Sequence, residues 1–145
     1  MRPYLLPLLC LNLGFMSACS SPTNFEKTFV TQGPNYVIML QLHSPDSRSV
    51  FGSVISTEVV EGMRVVAGNK PISGTIEGKA INFTINHPPG NDPPNTPVSG
   101  IMSGNDLTLT FYAHGNATEL TFHRSTAEKY EAAVKETFKN IAEFD

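Results

Sequence analysis

From Tyr36 onward, apolar and polar residues alternate with a period of two, and turn-forming residues interrupt the alternation at regular intervals. The pattern predicts eight strands, at about 36–43, 49–57, 62–67, 71–77, 80–86, 97–102, 107–112 and 118–124. The turns between them are marked by Ser44-Pro45-Asp46-Ser47, Gly68-Asn69, Gly78-Lys79, Gly104-Asn105-Asp106 and His114-Gly115-Asn116. In the later strands only one face is apolar. Ile81, Phe83 and Ile85 oppose Asn82, Thr84 and Asn86, Leu107, Leu109 and Phe111 oppose Thr108 and Thr110, and Leu120 and Phe122 oppose Glu119, Thr121 and His123. That is the pattern of antiparallel sheet with a wetted outer face. The first two strands differ. Tyr36, Ile38, Leu40 and Leu42 lie on one face with Val37 and Met39 on the other, and Val50 and Val54 oppose Phe51 and Ile55, so both faces are expected to be covered.

The cover is expected from a C-terminal helix. Tyr130, Ala133, Val134, Phe138 and Ile141 recur at helical spacing, with Glu131, Lys135, Glu136 and Lys139 on the opposite side. Ser125-Thr126-Ala127-Glu128 reads as a capping box, with Ser125 as the N-cap and Glu128 reaching back to its backbone N–H. The apolar stripe is expected to pack on the outside of the sheet.

An internal repeat narrows the architecture. Pro71-Ile72-Ser73-Gly74-Thr75-Ile76-Glu77-Gly78, continuing through Lys79 to Ile85, aligns without a gap with Pro97-Val98-Ser99-Gly100-Ile101-Met102-Ser103-Gly104 and its continuation to Phe111. Val50-Phe51-Gly52-Ser53-Val54 echoes the beginning of the same unit. A mid-strand glycine weakens a flat sheet and permits the sharp bending that closure requires. A closed meander also leaves no exposed edge. The expected fold is all-β, an antiparallel up-and-down eight-stranded barrel with one C-terminal helix packed outside. In this respect residues 36–144 resemble the lipocalin and calycin-like barrels. The chain has no Trp, so the Gly-x-Trp signature of the lipocalins is absent. The resemblance implies a carrier of a small apolar ligand.

The first 18 residues have another character. Arg2 is their only charge, an apolar run follows from Leu5 to Leu11, and Ser17-Ala18 precede Cys19. A basic start, an apolar middle and a small-residue cut site make up an export signal. Pro7, Asn12 and Gly14 interrupt the run, which falls short of the roughly 20 apolar residues of a spanning helix. Met16-Ser17-Ala18-Cys19 resembles the bacterial lipobox, with Met16 where Leu is commonest. That resemblance implies cleavage before Cys19, lipid on its sulfur and an acylated new N-terminus, several chains being needed for stable anchoring. Ser20, in place of Asp, implies the outer membrane, with the domain on its periplasmic face. Ordinary cleavage at a small-x-small site and release remains the other reading of Ser17 and Cys19. Cys10 leaves with the signal in either case, and cleavage before Cys19 leaves the mature chain one cysteine, so no internal disulfide is possible. The organisation read from the sequence is a signal over 1–18, a tether over 19–35, and a barrel domain with its helix over 36–145. Phe25, Phe29 and Val30 suggest that the second half of the tether docks on the domain.

Charge and chemistry exclude several classes. Without Arg2, nine Lys and Arg stand against thirteen Asp and Glu, a mildly acidic balance with no basic stripe, which disfavours nucleic acid. His43, His87, His114 and His123 form no His-x-His or His-x3-His pair, so no metal site is expected. There is no Gly-x-Ser-x-Gly elbow and no phosphate-cradling glycine loop. Glu58 and Glu61 are close in sequence, but they read as solvated loop residues rather than a tuned acid–base pair. No cofactor and no enzymatic activity are expected.

One loop stands out. His87-Pro88-Pro89-Gly90-Asn91-Asp92-Pro93-Pro94-Asn95-Thr96-Pro97 holds five prolines in eleven residues and should be stiff and extended. A stiff loop has little ordering entropy to lose on binding. His87, Pro88, Pro89, Asn91, Asp92, Pro93 and Pro94 are the candidate partner contacts, against the plainer reading that the loop only joins two repeat units. The expected function is a non-catalytic, membrane-anchored module that binds an envelope protein, of inhibitor, immunity or assembly type, with the lipocalin-like carrier as the alternative.

Overall fold

The computed structural model describes residues 25–60, 64–87 and 95–141. Eight strands, β1 (Phe25–Gln32), β2 (Tyr36–Ser44), β3 (Ser49–Val60), β4 (Arg64–Glu77), β5 (Ala80–Asn86), β6 (Asn95–Ser103), β7 (Asp106–Ala113) and β8 (Asn116–Arg124), precede one helix, α1 (Ala127–Phe138). Each strand pairs antiparallel with the next, and β1 pairs with β8, so the sheet is a closed up-and-down barrel. The expected architecture is therefore present, but two strands differ from those read in the sequence.

The first difference is at the N-terminal side. Residues 25–32, which the sequence pattern assigns to a tether, form β1 and pair along their whole length with β2, from Phe25 opposite Ser44 to Gln32 opposite Val37. Phe29 is fully buried in the barrel, while Val30, on the other face, packs in the cluster under α1. Lys27 and Thr31 interrupt the inward apolar row, which is why the alternation is hard to see. The second difference is that residues 62–67 and 71–77 are not two strands. A single β4 runs through Gly68-Asn69, where Gly68 pairs with Ser56 and Asn69 with Ile55. Twelve consecutive pairs with β3 outweigh the local turn preference.

The inward row of each strand fills the barrel. Fourteen buried apolar side chains form one continuous cluster, among them Phe29, Leu40, Leu42, Ile81, Leu107, Leu109 and Phe122. Eight strands leave an interior about wide enough for side chains to fill. Phe111 and Leu120, also on inward rows, are only partly buried and pack at the margin of this cluster. Phe51, expected to be covered, is 47% exposed on the outer face.

The repeat supplies the bends. Gly52, Gly74 and Gly100 stand at the same place in the three copies. A Cβ there would overlap the carbonyl oxygen of Gln41, Asn82 or Thr108, respectively, on an adjoining strand. The missing side chain lets neighbouring backbone pass where a Cβ would stand, which turns the sheet sharply enough to close. The prolines of the repeat are equally well placed. The β4–β5 ladder ends at Ile72 opposite Ile85, and the β6–β7 ladder ends at Val98 opposite Phe111. Pro71 and Pro97 come one residue beyond, where a missing N–H removes no ladder bond on that side.

α1 covers the outer face of the first strands. Val37 and Met39 form a second buried cluster with Tyr130 and Phe138, joined by Val30, Ile55, Val59, Val65, Ala133, Val134 and Ile141. The Tyr130 hydroxyl lies 2.8 Å from the Thr57 hydroxyl, and both residues are buried. The helix begins one residue later than the capping-box reading. Thr126 is the N-cap and accepts from the Lys129 N–H at 3.3 Å. Ser125 instead donates its N–H to the Thr28 carbonyl at 2.9 Å, so the β1–β8 ladder holds it extended. The Glu128 carboxylate accepts from its own backbone N–H and from the Thr126 hydroxyl, which holds its pKa below the usual glutamate value.

The closure argument separates the glycines. Gly74→Ala is expected to destabilise the barrel by about 1–3 kcal/mol, because backbone must move. At Gly68 a Cβ would meet only the Ser56 hydroxyl, at 3.6 Å. Gly68→Ala is expected to be neutral or stabilising by up to about 1 kcal/mol, through the unfolded chain. Urea unfolding of the two variants against the parent measures both.

Candidate functional site

The meander gives the barrel two unlike ends. At one end lie the β2–β3 turn, Gly78-Lys79, Gly104-Asn105, the start of β1 and the junction of β8 with α1. Asp46 organises the first of these turns, accepting from the Ser49 N–H at 2.7 Å and the Arg48 N–H at 3.0 Å. These bonds, the Ser49 one foremost, lower its pKa. At the other end lie the connections β1–β2, β3–β4, β5–β6 and β7–β8. The proline-rich loop belongs to this second end.

Its base is described. Asn86 and Asn95 pair across β5 and β6, and His87 Nε2 lies 3.0 Å from Thr96 Oγ1. Thr96 is buried, and Asn86 Nδ2 donates to Ser73 Oγ at 3.3 Å on the neighbouring strand. The two strand ends that flank 88–94 are thus tied to each other and to β4. Of the candidate partner residues, only His87 is described, while Pro88, Pro89, Asn91, Asp92, Pro93 and Pro94 lie outside the described residues, as does Cys19.

Beside the base is a shallow groove of about 260 Å³ lined by Ser73, Thr84, Pro97, Ser99 and Tyr112. It is smaller than ordinary small-molecule pockets, which start near 300 Å³. Tyr112 is 48% exposed at its edge. Next to it, His114 and Gly115 both have positive φ, as a two-residue hairpin turn of type I′ requires. Tyr112 is legible in the sequence only as a late strand residue, and it is exposed because it lies on the outward row, one residue beyond the last β6–β7 pair, Val98 opposite Phe111.

The histidines do not converge. His114 is in the β7–β8 turn and His123 is near the far end of β8, where its Nδ1 lies 2.8 Å from Asp106 Oδ1. Both partners of that pair are more than half exposed. The pairing was readable in advance, since Asp106 and His123 are equidistant from the His114-Gly115 turn. His43 is exposed on β2 opposite Phe51. Among the described residues no three of His, Cys, Asp and Glu gather where they could hold a metal ion. Glu58 is exposed in β3, and Glu61 lies outside the described residues.

The topology is that of a small closed barrel with one external helix, consistent with a lipocalin-like fold. No family model, no curated protein and no solved structure matches the chain.

The loop base yields a direct test. Thr96→Val removes the hydroxyl partner of His87 and is expected to cost about 1 kcal/mol. Faster amide hydrogen exchange at Asn95 and Thr96 should accompany it, and unchanged exchange would mean that the clasp does not hold the base.

Proposed function

We propose that this chain is a non-catalytic envelope lipoprotein, anchored through Cys19 to the outer membrane with its barrel on the periplasmic side, and that the barrel binds a protein partner. The observation that carries the reading is the arrangement of the barrel itself. Its interior is taken up by packed side chains, and its pinned loop base, groove and exposed Tyr112 gather at one end. A filled interior speaks against the carrier alternative, for which a hollow is needed. The surface at the loop end is what is left to recognise something.

The anchor reading fits this polarity. The first strand starts at Phe25, not near Tyr36, so few residues separate it from Cys19. Six residues reach at most about 20 Å when extended. A lipid on Cys19 would hold the β1-start end close to the membrane and turn the loop end away from it, toward the aqueous side. The partner type that suits such an address is another envelope protein, as for inhibitors, immunity proteins and assembly factors.

Two experiments test the parts separately. Cys19→Ser should abolish labelling by a tagged fatty acid and release the protein from membranes, and persistent labelling would overturn the anchor. Replacing 88–94 by a Gly-Ser linker of equal length should remove the partner recovered by affinity capture from envelope extract. An unchanged capture profile would remove the loop from the site. A lipid that co-purifies with the barrel in native mass spectrometry would overturn the protein-binding reading in favour of the carrier.

A further inference from the structure

The barrel is closed by unequal seams. β8 pairs with β7 over eight residues, from His123 opposite Asp106 to Asn116 opposite Ala113. Its other edge pairs with β1 at only two positions, Arg124 with Phe29 and His123 with Val30. The Arg124 guanidinium lies 5.7 Å from the Phe29 ring centre at this point. Toward the loop end, the side of β8 that faces away from β7 has no strand partner among the described residues.

The direction of the backbone groups follows from the register. Arg124 donates its N–H to the Asn105 carbonyl at 2.7 Å, which makes Arg124 a residue whose polar groups face β7. Antiparallel pairing alternates, so the N–H and C=O of Ala117, Glu119 and Thr121 face the open side. Asn116, Ala117, Thr118, Glu119 and Thr121 are all exposed, and no described strand pairs with this edge. An open row of alternating donors and acceptors is a template for another strand. The open edge of β4 beyond the β5 ladder is differently made. It carries Arg64 and Lys70 and ends at Pro71, all devices that discourage pairing. Asn116–Phe122 has no Lys, Arg or Pro, and Glu119 is its only charge.

We propose that the Ala117–Thr121 edge of β8 captures an extended, basic segment of the protein partner by strand addition, with a Lys or Arg opposite Glu119. This rests on the protein-binding reading above and names the form of the partner. Main-chain bonds would supply affinity and alternate side chains the selectivity. Glu119 heads a cross-strand row, Glu119–Thr110–Ser99–Asn82, on the outer face. These residues, with Thr108 and Ile101, line a shallow groove of about 280 Å³ in which Glu119 is the only charged side chain. Among the described residues no cation pairs with it. An incoming Lys or Arg therefore meets an unpaired carboxylate flanked by hydroxyl acceptors. On the other side of the added strand, apolar residues would meet the partly buried Leu120 and Phe111.

A second copy suits the edge less well. Two-fold pairing centred on Glu119 sets the two carboxylates directly opposite each other, which is unfavourable. Pairing centred on Leu120 sets Ala117 opposite His123, whose backbone is already engaged with Val30.

The test uses the purified Cys19→Ser chain and two fluorescent seven-residue peptides, one of alternating Val and Lys and one of alternating Val and Glu. The basic peptide is expected to bind at least about tenfold more tightly, with amide shifts confined to β8 and the groove. Glu119→Lys should invert the preference. Thr121→Pro removes only an outward N–H and should abolish binding of both peptides, with an unfolding midpoint near that of the parent. Should that variant not fold, Glu119→Lys alone carries the test through the inversion. Equal binding of the two peptides, or amide shifts elsewhere, overturns the proposal. A concentration-dependent dimer lost in Thr121→Pro overturns it in favour of self-pairing. If neither peptide binds while loop-dependent partner capture persists, the edge is wrong and the protein-binding reading stands. If the basic peptide binds and the lipid of a carrier co-purifies, that reading fails while the edge survives as a peptide site.

Discussion

A sheet this narrow closes only where neighbouring backbones come closer than side chains allow, and three glycines make that approach possible. Gly52, Gly74 and Gly100 each let an adjoining carbonyl occupy the space of a Cβ. The rest follows from the bend. The inward rows converge until Phe29, Leu40, Ile81, Leu109 and Phe122 exclude solvent, and the outward rows spread apart. The spread leaves one strongly apolar outer area, over β2 and the neighbouring strands, which α1 covers through Tyr130 and Phe138. Prolines at the ladder ends permit the stagger without orphaning a ladder bond, so the repeat carries both the bend and the limit of pairing.

Much of this architecture was legible. The two-sided apolar character of Val37 and Met39 against Leu40 and Leu42 announced a covering element, and the helical stripe from Tyr130 to Ile141 supplied it. The glycine repeat pointed to closure. What misled was local. Lys27 and Thr31 stand where β1 faces inward, so the strand that completes the ring looked like a tether. Gly68-Asn69 has turn chemistry, yet long pairing with β3 carries the chain straight through it. The count of eight holds because the missing first strand is offset by a fourth strand read as two. The helix start was off by one residue because a ladder bond to Thr28, invisible in the sequence, holds Ser125.

The site was less legible than the fold, for a physical reason. Composition marks a stiff loop, but where it stands relative to the chain's beginning depends on strand parity. A β1 starting at Phe25 sets the start of the barrel and the described base of the proline-rich loop at opposite ends. The His87–Thr96 clasp and the exposed Tyr112 likewise arise from register, since each depends on where a ladder ends. The open side of β8 could not be read at all without knowing that β1 leaves it after two pairs.

That short seam also bears on how the protein is made. The first strand finds its second partner only in the last, so the ring is completed after nearly the whole chain is available. Contacts between the far ends of a chain form slowly, because a long loop must close before they return any energy. As the chain emerges N-terminus first during synthesis, β1 has β2 as its sole companion and waits for β8. In that interval the half-built sheet would show two raw edges and an uncovered Val37–Met39 face. A chain with such an interval gains from any partner that shields those edges until the ring closes.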